Sequence, residues 1–164
     1  GIRKFSPDGS TLWHYKTPGG INNMPSLMGD YVYGNCKSGH AFALDQNTGK
    51  EVWVVRPSHS AGSDSGYPAP YDGLFVMGTN GNLVGGNKKV IALDGKSGNQ
   101  VWEYKTEHPV WNVMPLFPGD DTCLFMDFTG GLYRVGLHNG TLLWHAPAPG
   151  SDKSFSDGGA ILGS

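Results

Sequence analysis

The chain has 164 residues, including 26 glycines and 11 prolines but only 16% charged residues, and that length suits one domain with a sizeable core. The formal net charge is -2, with both signs mixed and no basic stripe, which points away from nucleic acid and from a purely electrostatic membrane surface. No apolar run approaches the roughly 18 residues that a membrane helix needs, and abundant glycine with abundant aromatics argues for short strands and tight turns.

Taken in order, residues 1–17 read as two strands, 2–5 and 11–16, joined by the turn 6–10, with Phe5 and Arg3 at the positions that later repeats give to Asp and Ala. Residues 18–57 read as four strands, 23–28, 30–35, 40–45 and 50–55, with turns at Gly29-Asp30, Ser38-Gly39 and Thr48-Gly49. Residues 58–106 repeat the pattern at 67–71, 74–78, 90–94 and 100–104, with enlarged connections at 59–66 and 79–89. In an up-and-down sheet those two connections emerge at the same end, where function often sits; a tolerated insertion is the alternative. Residues 107–146 give strands at 113–117, 123–127, 131–135 and 141–145, and residues 147–164 begin a further unit with a strand at 159–163. The chain starts at Gly1 with no leader pattern and no initiator methionine, so the expectation is a processed chain or part of a longer one.

These units are repeats. Residues 43–53 (ALDQNTGKEVW) recur as residues 92–102 (ALDGKSGNQVW). Each is a strand, a tight turn and a strand that ends in tryptophan. The Asp supplies side-chain bonds to the turn backbone and the Gly tolerates positive φ. Trp13, Trp53, Trp102 and Trp144 are spaced by 40, 49 and 42 residues, the period of a four-stranded propeller blade at about 40–45 residues. The motif resembles the repeat of pyrroloquinoline-quinone-type (PQQ-like) β-propellers. The resemblance implies an all-β fold of four-stranded antiparallel blades in which each Trp docks on the neighbouring blade. The expected arc is about three full blades (18–57, 58–106 and 107–146) with partial blades at both ends. Asp45, Thr48 and Gly49, and Asp94, Ser97 and Gly98, are then turn-forming residues, not catalytic ones. An open arc leaves two apolar sides bare. Since the resemblance implies a ring of seven or eight blades, the rest is expected in missing sequence or in another chain.

The channel rim should be lined by the starts of the inner strands. That makes Asn22, Asn23, Asp64, Tyr67, Trp111, Asn112 and Asp157 the candidate partner or ligand residues, with Ser65 and Ser156 beside them. Apart from Asp64 and Asp157 this set is polar and uncharged, poor in oxygen ligands for calcium. Met24 and Met114, just before Pro25 and Pro115, read as inner-strand core. Trp111 has no counterpart among the blade tryptophans and suits ligand stacking or partner contact, with plain packing as the alternative. The six histidines show no zinc spacing; His14 and His145 read as surface or inter-blade packing. Cys36 and Cys123 fall two blades apart and are expected to be free thiols, since a disulfide needs Cα atoms within about 7 Å. Residues 139–141 form a glycosylation tripeptide, relevant only in a secretory compartment.

No catalytic set, cofactor or metal is therefore expected. The reading is a non-catalytic propeller that scaffolds protein interactions, an accessory subunit with protein partners, in a membrane-associated complex by analogy with the family. The same analogy implies an extracytoplasmic location. The alternative is a fragment of a PQQ- and calcium-dependent alcohol or sugar dehydrogenase, although the adjacent cysteines common in those enzymes do not occur here.

Overall fold

The computed structural model describes residues 1–21, 23–58, 66–79, 88–147 and 159–163. Among the described residues there are thirteen strands and no helix long and apolar enough to cross a membrane. The first sheet pairs β1 (Ile2–Phe5) with β2 (Thr11–Tyr15). The second runs β3 (Ser26–Met28), β4 (Tyr31–Asn35), β5 (Ala41–Asp45) and β6 (Glu51–Val55) in spatial as in chain order. The third repeats this with β7 (Ala69–Tyr71), β8 (Leu74–Gly78), β9 (Lys89–Asp94) and β10 (Gln100–Lys105). The fourth has β11 (Thr122–Met126), β12 (Leu132–Gly136) and β13 (Leu142–Ala146). Every pairing is antiparallel. This is an up-and-down blade repeated along the chain, an arc of a β-propeller with incomplete blades at its ends.

The central strands are buried on both faces, which explains their unbroken apolar runs. In β9, Ile91 and Leu93 pack with Tyr33, Ala43 and Trp53 of the preceding sheet, while Val90 and Ala92 pack with Phe125, Tyr133 and Val135 of the following one. The period of two along the strand thus feeds two different inter-sheet cores. A third core joins Ile2 to Val32, Phe42 and Leu44.

Three expectations are corrected. The inner strand at 113–117 is reduced to one bridge, Leu116 to Leu124, because Pro115 and Pro118 cannot donate to a ladder. Pro25 and Pro68 shorten the other inner strands in the same way, to Ser26–Met28 and Ala69–Tyr71. Residues 159–163 form no strand, and Ile161 is 94% exposed; no second strand lies beside them among the described residues, and an unpaired strand does not persist in water. The alignment of the first hairpin also moves. Lys4 lies opposite Trp13 as Ala43 does opposite Trp53, so Lys4, not Arg3, takes the Ala place and Ser6, not Phe5, the Asp place. The turn there is one residue shorter, closed by Ser6 N–H donating to Ser10 O at 2.9 Å where Asp45 donates to Lys50.

Candidate functional site

The two middle outer hairpins are built the same way. The carboxylate Oδ1 of Asp45 accepts from Asn47 N–H (3.0 Å), Thr48 N–H (2.7 Å) and the Thr48 hydroxyl (2.8 Å). Asp94 does the same with Lys96 N–H, Ser97 N–H and the Ser97 hydroxyl, at 3.1, 2.8 and 2.8 Å. The Thr48 hydroxyl, with the backbone bonds, holds Asp45 below the usual carboxylate range, and Ser97 does so for Asp94. In the last hairpin Gly136 replaces the Asp. A Cβ there would lie 2.4 Å from Asn139 Oδ1, so the glycine admits the Asn139 amide, which accepts from Thr141 N–H at 2.9 Å.

These turns make the joints between sheets. The indole of Trp13 donates to Gln46 O at 3.1 Å, that of Trp53 to Gly95 O at 2.9 Å and that of Trp102 to Leu137 O at 2.7 Å. Each indole lies on the glycine of the next turn: Trp13 on Gly49, Trp53 on Gly98 and Trp102 on Gly140, all with φ between +66 and +74°. Trp144 has no following turn among the described residues and is 39% exposed, against 7% for Trp53 and 6% for Trp102.

On the inner side, Asn22, Asp64 and Asp157, with Ser65 and Ser156, lie outside the described residues, as do most of the two enlarged connections. The structure brings Asn23 to the next sheet: its amide donates to Gly66 O and, at 3.4 Å, to Asn35 Oδ1, while the buried Asn35 also donates to Gly66 O at 3.2 Å. Gly66 fits only as glycine, since a Cβ would lie 2.6 Å from the Val113 backbone. Tyr67 N–H donates to Val113 O at 2.9 Å, which ties Tyr67 to the stretch carrying Trp111 and Asn112. Both of these are half-buried, and Asn112 holds φ +46°. The two methionines are not core. Met24 is 73% exposed and Met114 49%, because each precedes a proline that keeps it extended outside the ladder. The described rim thus presents Met24, Tyr67 and Met114 as exposed apolar groups, with amides already used to join neighbouring sheets.

Several groups escaped sequence reasoning. Asp127 is fully buried. Its Oδ1 accepts from Thr129 N–H, the Thr129 hydroxyl and Gly131 N–H at 2.7–3.0 Å, and its Oδ2 from the Tyr133 hydroxyl at 2.8 Å. Both carboxylate oxygens accept from protein donors, the arrangement of a structural carboxylate. The signal was its equivalence to Cys36, which opens the matching turn. His145, read from the sequence as surface or inter-blade packing, stacks on Tyr133 of its own sheet with ring centroids 4.2 Å apart. Asp72, Asp121 and His138 gather three donor atoms within 4.8 Å of one another, all exposed; the His138–Asp72 pair at 3.1 Å accounts for the grouping. The residue before each blade tryptophan, namely Leu12, Val52, Val101 and Leu143, is bulged out of register and exposed; the bulge adds local twist.

Quinone and calcium fit poorly on these residues. Among the described rim residues Asn23, Tyr67, Trp111 and Asn112 there is no carboxylate, whereas calcium takes six to eight oxygens. Cys36 and Cys123 are separate and buried, neither in a disulfide, and burial pushes the Cys123 thiol up to about 12.

Tryptophan-jointed, four-stranded sheets of this kind define a PQQ-like β-propeller. The family model described as outer membrane protein assembly factor BamB matches residues 1–159, and the chain belongs to that family. It is 34% identical over 98 residues to the BamB of Xanthomonas campestris pv. campestris, covering 56% of this chain and 23% of that protein. It is 25% identical over 158 residues to the polyvinylalcohol dehydrogenase of a Pseudomonas species, covering 80% of this chain and 24% of that one. The chain therefore spans about a quarter of the length of these curated relatives. Among solved structures, BamB from Moraxella catarrhalis superposes with a TM-score of 0.68 at 24% identity, over 84% of this chain and 40% of that one. The quinohemoprotein alcohol dehydrogenase of Comamonas testosteroni gives 0.70 at 17%, over 85% and 31%; both likenesses carry the fold alone.

Proposed function

We propose that this chain is a sector of a non-catalytic propeller that works as a protein-docking scaffold, an accessory subunit of a membrane-associated complex outside the cytoplasm. Its blades would run 18–57, 58–106 and 107–146, with the remaining blades supplied from beyond these residues, by further sequence or another chain. The observation that carries the reading is the described rim, where apolar Met24, Tyr67 and Met114 are exposed while the conspicuous acids Asp45 and Asp94 are held inside turns. Apolar and aromatic side chains ringed by satisfied amides suit a protein partner. Relatives named as outer membrane protein assembly factors support the docking role and, by analogy, the location.

The test is a photo-crosslinking residue placed at Tyr67 or Met114 in the complete protein in its own cells. The reading expects a discrete protein adduct from the rim and none from an equally exposed outer-turn position such as Lys96. Equal labelling at both positions would refute it. The second reading, part of a PQQ- and calcium-dependent dehydrogenase, draws on the match to polyvinylalcohol dehydrogenase over most of the chain. Calcium-dependent quinone absorbance with dye reduction by the complete protein would favour that reading over the scaffold.

A further inference from the structure

We propose that the side of the arc where the chain passes from sheet to sheet is a cationic docking face, and that its partner is a protein surface with carboxylates set around an apolar centre. The inference deepens the scaffold reading and rests on it.

The sequence mixes the two charge signs, but up-and-down strands sort them onto opposite faces. One face holds the turns between first and second strands and between third and fourth strands. Aspartate occupies both kinds, with Asp30, Asp72 and Asp121 in the former and Asp8, Asp45 and Asp94 in the latter, against Lys50 and Lys96. The fold itself asks for these acids. Asp8 Oδ1 accepts from Ser10 N–H at 3.0 Å, as Asp45 and Asp94 accept within their own turns. Asp72 and Asp121 hold φ +46° and +59°, a region where Asp is one of the few side chains found. The acidic face is therefore a by-product of making turns.

The opposite face holds the turns between second and third strands and the connections between sheets. In those segments Lys16, Lys37, Arg56, Lys88 and Lys105 are exposed, and Glu107 is the one exposed carboxylate among the described residues. Residues 59–65 and 80–87, outside the described residues, carry one charged side chain, Asp64, besides His59. Turn chemistry does not call for these cations. Gly39 N–H donates to Cys36 O at 2.9 Å and Gly130 N–H to Asp127 O at 3.1 Å, so backbone bonds close the turns there. Among the described residues none of the five makes an ion pair, whereas elsewhere Lys89 pairs with Glu103 at 3.0 Å and Arg134 with Asp120.

The cations form two groups. Arg56 Nε donates to Ser38 O at 3.2 Å, next to Lys37, whose N–H donates to Gly20 O at 2.9 Å in the connection that starts at Lys16. Lys88 O accepts from Thr106 N–H at 2.9 Å, which sets Lys88 beside Lys105. Inward of both groups, at the starts of the inner strands, are the exposed Met24, Tyr67 and Met114. An apolar centre inside a charged rim is the anatomy of a protein interface, and the rim charges steer a partner of opposite sign. The strands between the two faces are five residues long, about 17 Å, roughly twice the screening length of about 8 Å at physiological salt. The acids on the far face therefore leave this field uncancelled. A bilayer is the poorer fit, because it takes up apolar groups that protrude, and Tyr67 and Met114 are sunk to 37% and 49% exposure.

The experiment uses the complete protein in its own cells with a photo-crosslinking residue at Met114, and reads the yield of the discrete protein adduct. The double variant Lys16→Glu with Lys37→Glu reverses one group, Lys105→Glu weakens the other, and Asp30→Lys is the control on the acidic face. All four positions are exposed, and circular dichroism of the purified variants checks that they stay folded. The expected result is a loss of adduct of about fivefold or more in the double variant, a smaller loss in Lys105→Glu and none in Asp30→Lys. An adduct that survives both reversals, or that Asp30→Lys reduces as much, overturns the proposal and leaves the scaffold reading standing. No adduct from the parent protein overturns both. In a second arm the purified parent is sedimented with vesicles of phosphatidylglycerol and phosphatidylcholine in equal parts, and no binding is expected. Vesicle binding that the double variant abolishes would assign the face to a membrane and overturn the proposal.

Discussion

The indole of Trp53 occupies the place that a side chain on Gly98 would need, with a Cβ there lying 2.8 Å from both Cδ2 and Cε3. The same indole donates its N–H to Gly95 O at 2.9 Å, three residues before Gly98 in the same turn. One tryptophan therefore both packs on the neighbouring turn and satisfies its backbone. The turn can accept it because Asp94 holds the backbone in shape and Gly98 tolerates φ +74°.

Loss of an internal joint should be costly. Trp102 is 6% exposed and sits in the core shared by the third and fourth sheets. Trp102→Ala removes that packing and leaves Leu137 O without its donor, for an expected loss of about 3–5 kcal/mol. Urea denaturation followed by circular dichroism measures it.

The buried carboxylate should matter as much as an indole. Asp127→Ala strips the acceptor from Thr129 N–H, Gly131 N–H and the Tyr133 hydroxyl. Buried donors without partners cost about 1–3 kcal/mol each, so the variant should lose at least about 2 kcal/mol in the same denaturation experiment. A loss below about 0.5 kcal/mol, the scale of ordinary surface substitutions, would contradict the role given to Asp127.

Acid should weaken the turns. Asp45 and Asp94 have folded-state pKa values below the ordinary one, chiefly through the Thr48 and Ser97 hydroxyls. A depressed carboxylate contributes stability that is fully present above its unfolded pKa of about 3.9 and is lost as the pH falls through the folded value. The urea midpoint should therefore drop on acidification below about pH 4. Asp94→Asn should start lower and show a shallower drop.

The thiols should be silent. Both cysteines are buried and outside any disulfide, and burial pushes the Cys123 thiol up to about 12, far above neutral pH. A thiol reagent at neutral pH should label neither in the folded protein and both in denaturant. Rapid labelling of Cys123 in the folded state would contradict the packing described for the fourth sheet.

Much of this was legible in residues alone. The Asp, Thr or Ser, Gly and Trp of residues 43–53 and 92–102 announce both the turn and the joint, because local side-chain-to-backbone bonding needs those types at those places. The joint's other partner was not legible: nothing in Trp53 says that it lies on Gly98, 45 residues on, until sheets are stacked. The inner strands were overread since alternation ignores proline, and Met24 and Met114 were assigned to the core though Pro25 and Pro115 hold them out. The first hairpin was misaligned by one residue, since spacing from Trp13 fixes Gly9 but not a turn shortened between Ser6 and Gly9. Asp127 went unread because its partners, Thr129, Gly131 and Tyr133, make a pocket only once β12 folds back on β11.

The joint itself is tested most directly by a double-mutant cycle on Trp53→Ala and Gly98→Ala, read by urea denaturation. Alone, Gly98→Ala suffers both the strain of positive φ and the clash with the indole; with Trp53 already removed only the strain remains. The account predicts that the two losses together fall short of their sum by about 1–2 kcal/mol, the coupling expected of residues in contact. Losses that add to within about 0.3 kcal/mol, as independent sites do, would contradict it.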